Sequence, residues 1–209
     1  MDNYERKAFT LLVSLFIGGL VVAAVISSKI ITIFGLAAPA GVLAYSLTFA
    51  VSDVISEVWG KEQANEAVTC GFITLIFITG LAWLAVSWPG AVFWQDQEAF
   101  AKVIGSTPRI AAASLVAYIV SQKHDIWLFH ILKNRMDGRF LWLRNNLSTM
   151  VSQLIDSSIF VTIAFWGILP LGDIIIGQWL IKLLIAACDT PVVYMLVSIL
   201  RGRLRPVAA

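Results

Sequence analysis

Charged residues are scarce in this chain of 209 residues: only 13% of them are Asp, Glu, Lys or Arg, against roughly 25% in ordinary soluble proteins. Hydrophobic residues make up 59%, and a single soluble core of this size could not hide so much apolar surface. The net charge of +2 supplies no basic field for nucleic acid. The composition excludes a soluble enzyme domain, a disordered tail and a fibrous repeat, and it leaves a polytopic membrane protein.

Cysteines and catalytic motifs are also scarce. The two cysteines, Cys70 and Cys188, both lie in apolar runs, where each is expected to pack as a small hydrophobic residue rather than form a disulfide or a zinc site. The chain has no G-x-S-x-G, H-E-x-x-H or P-loop pattern. We therefore expect no enzyme activity, no metal and no cofactor.

Long hydrophobic runs, in contrast, fill most of the chain. A membrane helix needs about 20 mainly apolar residues, and six windows qualify: Ala8–Ile26, Ala38–Trp59, Ala67–Trp88, Arg109–His130, Asn146–Leu169 and Ile174–Leu200. The first window is longer than the core of a typical signal peptide, so we expect a retained helix. The sequence predicts a single all-α membrane domain over residues 1–209, built as a bundle of six transmembrane helices.

The basic residues predict how this bundle is oriented. With the N-terminus inside, 11 of the 15 Lys and Arg residues fall on the cytoplasmic side, among them Lys133, Arg144 and Arg201, as the positive-inside rule requires. Both termini are then cytoplasmic. Six spans also divide into two three-helix halves, which would have inverted topology. Small residues in the first span, Gly18-Gly19 and Ala23-Ala24, are compatible with a homodimer.

Ionisable side chains inside the predicted spans are the candidate functional residues, since a charge at the centre of a membrane helix costs about 2.5–3.5 kcal/mol. In the second span, Asp53 and Glu57 are four residues apart and share a helix face. Two like charges there repel, so we expect a nearby cation or a shared proton. The alternative for Glu57 is that it reaches cytoplasmic water beside the break at Gly60.

The fourth span carries a stripe of hydrogen-bonding side chains at steps of three and four: Ser114, Tyr118, Ser121, Gln122 and Asp125. Such a stripe is expected to face a partner helix or a water-filled path rather than lipid. Arg109 opens this span, and the alternative to a functional role is that its side chain extends to the membrane interface.

The fifth span repeats this pattern at steps of four, four and three: Asn145, Thr149, Gln153 and Asp156. Asp156 lies in mid-span, where no loop offers it water. In the sixth span Lys182 and Asp189 share a face, and Lys182 could balance Asp156 or Asp53, or pair loosely with Asp189. Pro191 removes one backbone hydrogen bond, which predicts either a broken helix of the kind found at transporter sites or a packing kink.

These residues, taken in their order along the chain, resemble those of the queuosine-precursor transporters, also called the vitamin uptake transporter family. The matching pieces are Asp53 before Gly60, Arg109-Ile110, Ala113-Ser114, Ala117-Tyr118, Ser121-Gln122, Asp125, Trp142-Leu143-Arg144-Asn145, Ser148-Thr149, Asp156, Lys182 and Pro191 with Tyr194. The resemblance implies six spans in a bacterial or archaeal cytoplasmic membrane. It also implies inward transport of the cyano and aminomethyl 7-deazaguanine precursors of queuosine.

The polar residues suit such a substrate. A guanine-like base presents a ring N–H and an amino group side by side, and one carboxylate can accept both. We therefore expect Asp156 or Asp53 to bind this edge and Lys182 to balance charge. Other polar atoms of the base would contact amide side chains such as Gln122 and Gln153. The candidates for stacking on its ring are Tyr45, Phe49 and Phe160.

Other functions compete with this interpretation. A chain of six short helices also describes the substrate-binding component of an energy-coupling-factor importer, which needs ATPase partners. Leu171-Gly172-Asp173 is similar to part of the G-x-G-D motif of intramembrane aspartyl proteases, but Pro170 replaces the first glycine of the motif. A third alternative is a purely structural membrane protein, which would bind no deazaguanine.

Overall fold

The computed structural model describes residues 3–26, 29–33, 35–104, 108–136, 139–167 and 171–204. In chain order these residues form α1 (Asn3–Ile26), β1 (Ile30–Ile33), β2 (Leu36–Pro39), α2 (Gly41–Val58), α3 (Lys61–Ser87), α4 (Gln97–Ile104), α5 (Pro108–Arg135), α6 (Leu141–Phe165) and α7 (Leu171–Leu204). The architecture is that of a helical bundle with one small hairpin, and the predicted helical class is confirmed.

Within the described part of the chain, five helices are both long and apolar enough to cross a membrane: α1, α2, α3, residues Leu141–Ala164 of α6 and Ile174–Gly202 of α7. Helix α5 has 28 residues, about 42 Å at 1.5 Å per residue, so its length also suffices. Its polar stripe and its basic end make it less hydrophobic than the other five. The fold is thus that of a polytopic membrane protein, while the count of six spans and the inverted halves stay predictions.

The hairpin between α1 and α2 was not predicted from the sequence. Strands β1 and β2 pair antiparallel with Ile33 opposite Leu36, and Gly35 in the turn has a φ of +82°, which glycine adopts without steric cost. The β-branched run Ile30–Ile33 before Gly35 was the available signal. The second predicted span, which starts at Ala38, includes the end of this hairpin, whereas α2 begins only at Gly41.

Helix α2 lies at the centre of the bundle. It contacts α1, α3, α5 and α7, and every residue from Thr48 to Glu57 is buried. Its apolar side chains Val54 and Ile55 belong to one core cluster with Phe16 of α1 and Val68 of α3. Because α2 is enclosed by other helices, its polar side chains face protein rather than lipid or water.

The small residues of α1 serve partly to pack this helix against α2. A Cβ at Gly19 would lie 3.2 Å from Thr48 Cγ2, and Ala23 is buried, whereas nothing lies within 4 Å of the corresponding point at Gly18. Two of the four small residues that could support a homodimer, Gly19 and Ala23, therefore pack within the chain instead. A homodimer stays a prediction, and it would use the Gly18 side of α1.

Helix α7 continues through Pro191, so of the two alternatives predicted there the broken helix is wrong. One residue earlier, Thr190 Oγ1 donates to the carbonyl of Ala186 at 3.2 Å and accepts a hydrogen bond from Asn146 Nδ2 at 2.9 Å. Membrane helices tolerate proline where neighbouring helices and Ser or Thr side chains satisfy the backbone. The hydroxyl of Thr190 therefore ties α7 to α6 beside the proline.

Gly71 of α3 lies where side chains from α1 and α5 meet, and we expect Gly71→Ala to destabilise the fold. A Cβ at this position would lie 2.5 Å from Tyr118 Oη, 2.7 Å from Leu20 Cδ1 and 2.9 Å from Phe16 Cε1. Overpacking of this kind costs about 1–3 kcal/mol, which thermal unfolding in detergent would detect. Gly80→Ala is the control in the same helix, because nothing lies within 4 Å of its Cβ. Equal losses in the two variants would contradict the prediction.

Candidate functional site

Polar side chains of α2, α5, α6 and α7 meet inside the bundle in three layers, which we name after one carboxylate each. Three contacts between α2 and α6 mark the Asp156 layer, the Asp53 layer and the Glu57 layer in turn: Tyr45 to Asp156, Asp53 to Thr149, and Glu57 to Arg144. Residue numbers rise along α2 as they fall along α6, so the two helices are antiparallel. Twelve residues of α2 separate the outer contacts, or about 18 Å.

In the Asp156 layer, one carboxylate accepts hydrogen bonds from three donors. Asp156 Oδ1 accepts from Tyr45 Oη at 2.8 Å and from Ser121 Oγ at 3.1 Å, and Asp156 Oδ2 forms an ion pair with Lys182. The Lys182 ammonium also lies 5.1 Å from the centre of the Tyr45 ring. Asp156 and Lys182 are both buried, and buried charges need such partners. Of the partners that the sequence offers to Lys182, the structure therefore selects Asp156 rather than Asp53 or Asp189.

The Asp53 layer contains two carboxyl groups that face each other, Asp53 of α2 and Asp125 of α5. Thr149 Oγ1 donates to Asp53 Oδ2 at 3.4 Å. Asp53 Oδ1 and both oxygens of Asp125 are buried and accept no well-formed hydrogen bond from a described residue, although the hydroxyls of Ser148 and Ser152 of α6 lie near Asp125. Two like charges in a buried site repel, so this layer requires a shared proton or donors from a ligand.

Amide side chains border the Asp53 layer. Gln122 of α5 bridges to α2, because its Nε2 donates to Thr48 Oγ1 at 3.2 Å and its Oε1 accepts from Ser52 Oγ at 3.4 Å. Gln153 Oε1 and Asn145 Oδ1 of α6 are buried without a donor in the part of the chain that the structure describes. The layer is therefore rich in acceptors that a ligand with N–H groups could satisfy.

The Glu57 layer closes the end of the bundle that the positive-inside rule assigns to the cytoplasm. Glu57 binds three cations from three helices: Lys133 Nζ at 3.1 Å, Arg144 Nη1 at 2.9 Å, and Arg201. The Glu57 side chain is only 1% exposed. The expected nearby cation is thus confirmed for Glu57, and the alternative that Glu57 reaches water is wrong.

The sequence singled out none of the three cations of this layer as a site residue, and Arg144 is the most deeply buried of them. Its guanidinium is fully buried, lies 5.1 Å from the centre of the Phe129 ring, and donates through Nε to the carbonyl of Arg139 at 3.2 Å. In the sequence it stands beside the start of a span and counts among the cytoplasmic cations. Only the packing of α6 against α2 and α5 turns that cation inward.

The remaining residues predicted for the site whose side chains the structure describes lie outside the three layers. Ser114 is exposed, so the inward stripe of α5 begins only at Tyr118. Tyr118 donates to the carbonyl of Val68 at 3.1 Å, which ties α5 to α3. Asp189 is half-buried, and no ion pair joins it to another described residue. The side chain of Arg109 lies outside the described residues.

We expect Tyr45→Phe to lower the free energy of unfolding by about 1.5–3 kcal/mol, because it removes one hydrogen bond to a buried carboxylate. Ser121 and Lys182 would still hold Asp156 in that variant. Thermal unfolding should show a smaller loss when Tyr45→Phe is made in an Asp156→Asn background, since the shared interaction is then already weakened. Identical losses in the two backgrounds would show that the hydroxyl does not act through Asp156.

Comparison with known proteins places these layers in a family context. A family model described as "Putative vitamin uptake transporter" matches residues 39–196. The "Probable queuosine precursor transporter" of Bacillus subtilis (strain 168) is 36% identical over 170 residues, which cover 79% of this chain and 74% of that protein. The "Queuosine precursor transporter" of Escherichia coli (strain K12) is 26% identical over 136 residues, 65% of this chain and 59% of that protein. No solved structure matches the chain with statistical significance.

Proposed function

The chain belongs to the vitamin uptake transporter family, and from this membership we propose that it imports queuosine precursors across a bacterial or archaeal cytoplasmic membrane. The substrates would be 7-cyano- or 7-aminomethyl-7-deazaguanine. One observation carries the proposal at the level of residues: the Asp53 layer holds three buried carboxylate oxygens that accept no well-formed hydrogen bond from a described residue. A guanine-like base brings the donors that these oxygens lack.

Asp53 is the better candidate of the two carboxylates for binding the guanine edge. Asp156 already accepts from Tyr45, Ser121 and Lys182, so a base would have to displace one of them. Asp53 has only the long contact from Thr149. Charge-assisted hydrogen bonds from the ring N–H and the amino group would satisfy its free oxygen and relieve the repulsion with Asp125.

Side chains around Asp53 can hold the rest of the base. The amide of Gln122 can donate to the ring carbonyl oxygen, and Gln153 Oε1 can accept from a further N–H group. Phe49 lies one helical turn from Asp53 on α2, and its ring centre is 5.6 Å from that of Tyr45. A flat base could stack on this aromatic pair, as single bases do on protein aromatics.

The other two layers would control access to this site. For a base to enter from outside, the Lys182–Asp156 pair would have to separate, and for it to leave inward the Glu57 layer would have to open. When the base leaves, a proton shared by Asp53 and Asp125 can replace its N–H groups. The proposal therefore assigns the two ion-pair layers to gating and the Asp53 layer to binding.

The experiment is uptake of radiolabelled 7-cyano- and 7-aminomethyl-7-deazaguanine by liposomes that contain only the purified chain. We expect saturable uptake that unlabelled guanine-like bases reduce. Adenine is the control competitor, since its corresponding ring nitrogen is an acceptor and cannot donate to Asp53. Uptake that requires added ATPase partners would favour the energy-coupling-factor alternative. Absence of both uptake and binding of the labelled bases would contradict the proposal.

A further inference from the structure

A cavity of about 470 Å³ opens beside the Glu57 layer, where α6 begins and α7 approaches its end. Glu57 and the buried Arg144 line it. Arg201, Tyr194 and Ser198 of α7 line one wall. Positive-inside orientation places this opening at the cytoplasmic face of the membrane. The cavity lies outside the Asp53 and Asp156 layers, and the proposed binding of the base beside Asp53 makes no use of it.

The cavity has an excess of positive charge. Among the described residues that line it, Glu57 contributes one carboxylate and Arg144 and Arg201 each contribute a cation bound to it, while Lys133 binds the same carboxylate from outside the lining. The side chain of Arg201 is 48% exposed and contacts Glu57 through Nη2. The outer part of its guanidinium is therefore free to bind an anion that enters the cavity.

Hydroxyl donors stand next to this guanidinium. Tyr194 Oη accepts a hydrogen bond from the backbone N–H of Trp142 at 2.8 Å, so its own O–H can donate to a ligand. Ser198 is exposed on the same wall. Tyr194 also marks the first turn of α6, where the helix dipole favours negative charge. Arg201, Tyr194 and Ser198 together offer the donors that phosphate oxygens accept.

The remaining walls of the cavity are apolar, which favours a lipid over a soluble anion as its ligand. Phe140, Leu141 and Val197 line the cavity, and Phe140 is 59% exposed. Trp142, which is 51% exposed, stands beside it in the position of an interfacial aromatic residue. Basic pockets between membrane helices on the cytoplasmic side are suited to anionic phospholipid headgroups. We propose that this cavity binds the phosphate of an anionic phospholipid from the cytoplasmic leaflet, with Arg201 as its principal contact.

The test is thermal unfolding of the purified full chain in neutral detergent, titrated with phosphatidylglycerol, phosphatidylcholine or inorganic phosphate. We expect phosphatidylglycerol alone to raise the unfolding midpoint in a saturable manner. Arg201→Gln should weaken the apparent affinity for phosphatidylglycerol by about fivefold, the factor expected for one basic residue at an anionic membrane surface. Arg135→Gln is the matched control, because Arg135 is exposed at the end of α5 and does not line the cavity.

Because Arg201→Gln also loses the contact with Glu57 and could misfold, a second variant tests the cavity without this loss. Ser198→Trp fills the cavity from an exposed position and removes no ion pair, so it should abolish the response to phosphatidylglycerol. Equal responses to phosphatidylglycerol and phosphatidylcholine would overturn the proposal, as would equal effects of Arg201→Gln and Arg135→Gln. An equal response to inorganic phosphate would overturn the assignment to lipid.

Discussion

Asp53→Asn is expected to reduce uptake of queuosine precursors by at least about 100-fold while leaving the protein folded. Two charge-assisted hydrogen bonds to the base, at about 1.5–3 kcal/mol each, are lost or weakened. The new asparagine amide also places an N–H group against the N–H groups of the base. Initial uptake rates in proteoliposomes, normalised to the amount of reconstituted protein, measure the effect.

The stability of the same variant separates a binding role from a structural one. Asp53 faces Asp125 in a buried site, so removal of one charge relieves repulsion and should leave the unfolding midpoint equal to or above that of the unmodified chain. Ser114→Ala is the control variant, since Ser114 is exposed on α5, and it should transport normally. Uptake by Asp53→Asn within twofold of the control would remove Asp53 from the site.

Arg144→Met is expected to lower the free energy of unfolding by about 3–5 kcal/mol, because it leaves the buried Glu57 carboxylate without its fully buried partner. Lys133 and Arg201 would remain near Glu57, but both are partly exposed to solvent and cannot replace the guanidinium in the interior. The variant also loses the contact with the Phe129 ring. Thermal and denaturant unfolding in detergent would measure the loss.

A double variant shows whether this loss comes from the ion pair. Glu57→Gln combined with Arg144→Met removes both buried charges, so it should be less destabilised than the sum of the single changes, with a coupling of about 1–3 kcal/mol. Arg135→Met serves as the control for an exposed arginine. Strict additivity of Glu57→Gln and Arg144→Met would show that the two side chains do not stabilise one another.

Much of the helical framework could be predicted because hydrophobic length is a local property. Each of the six predicted windows overlaps a long helix of the structure. The hairpin of β1 and β2 and the short α4 could not be found in this way, since neither is long enough to give a hydrophobic signal. Pro191 left two alternatives open in the sequence, because the effect of a proline inside a membrane helix depends on its neighbours, and Asn146 of α6 meets Thr190 there.

The candidate site was only partly predictable. Periodicity correctly placed Ser121, Gln122 and Asp125 on the buried face of α5. It gave no means of pairing residues that lie on different helices. The ion pair of Lys182 with Asp156, and the opposition of Asp53 and Asp125, each depend on the register between two helices, and that register is set by side-chain packing along the whole interface.

The sequence by itself determined that this chain is a membrane protein and which few charges require explanation, because the cost of placing a charge in hydrocarbon applies to each residue separately. Only the tertiary structure decided how those charges are satisfied. It gave Glu57 three cations and Asp156 three donors, whereas Asp53 and Asp125 face each other with three of their four oxygens lacking a well-formed hydrogen bond from a described residue. The reason is that hydrogen bonds and ion pairs act over a few ångströms, and only the packed helices bring residues from distant parts of the chain that close.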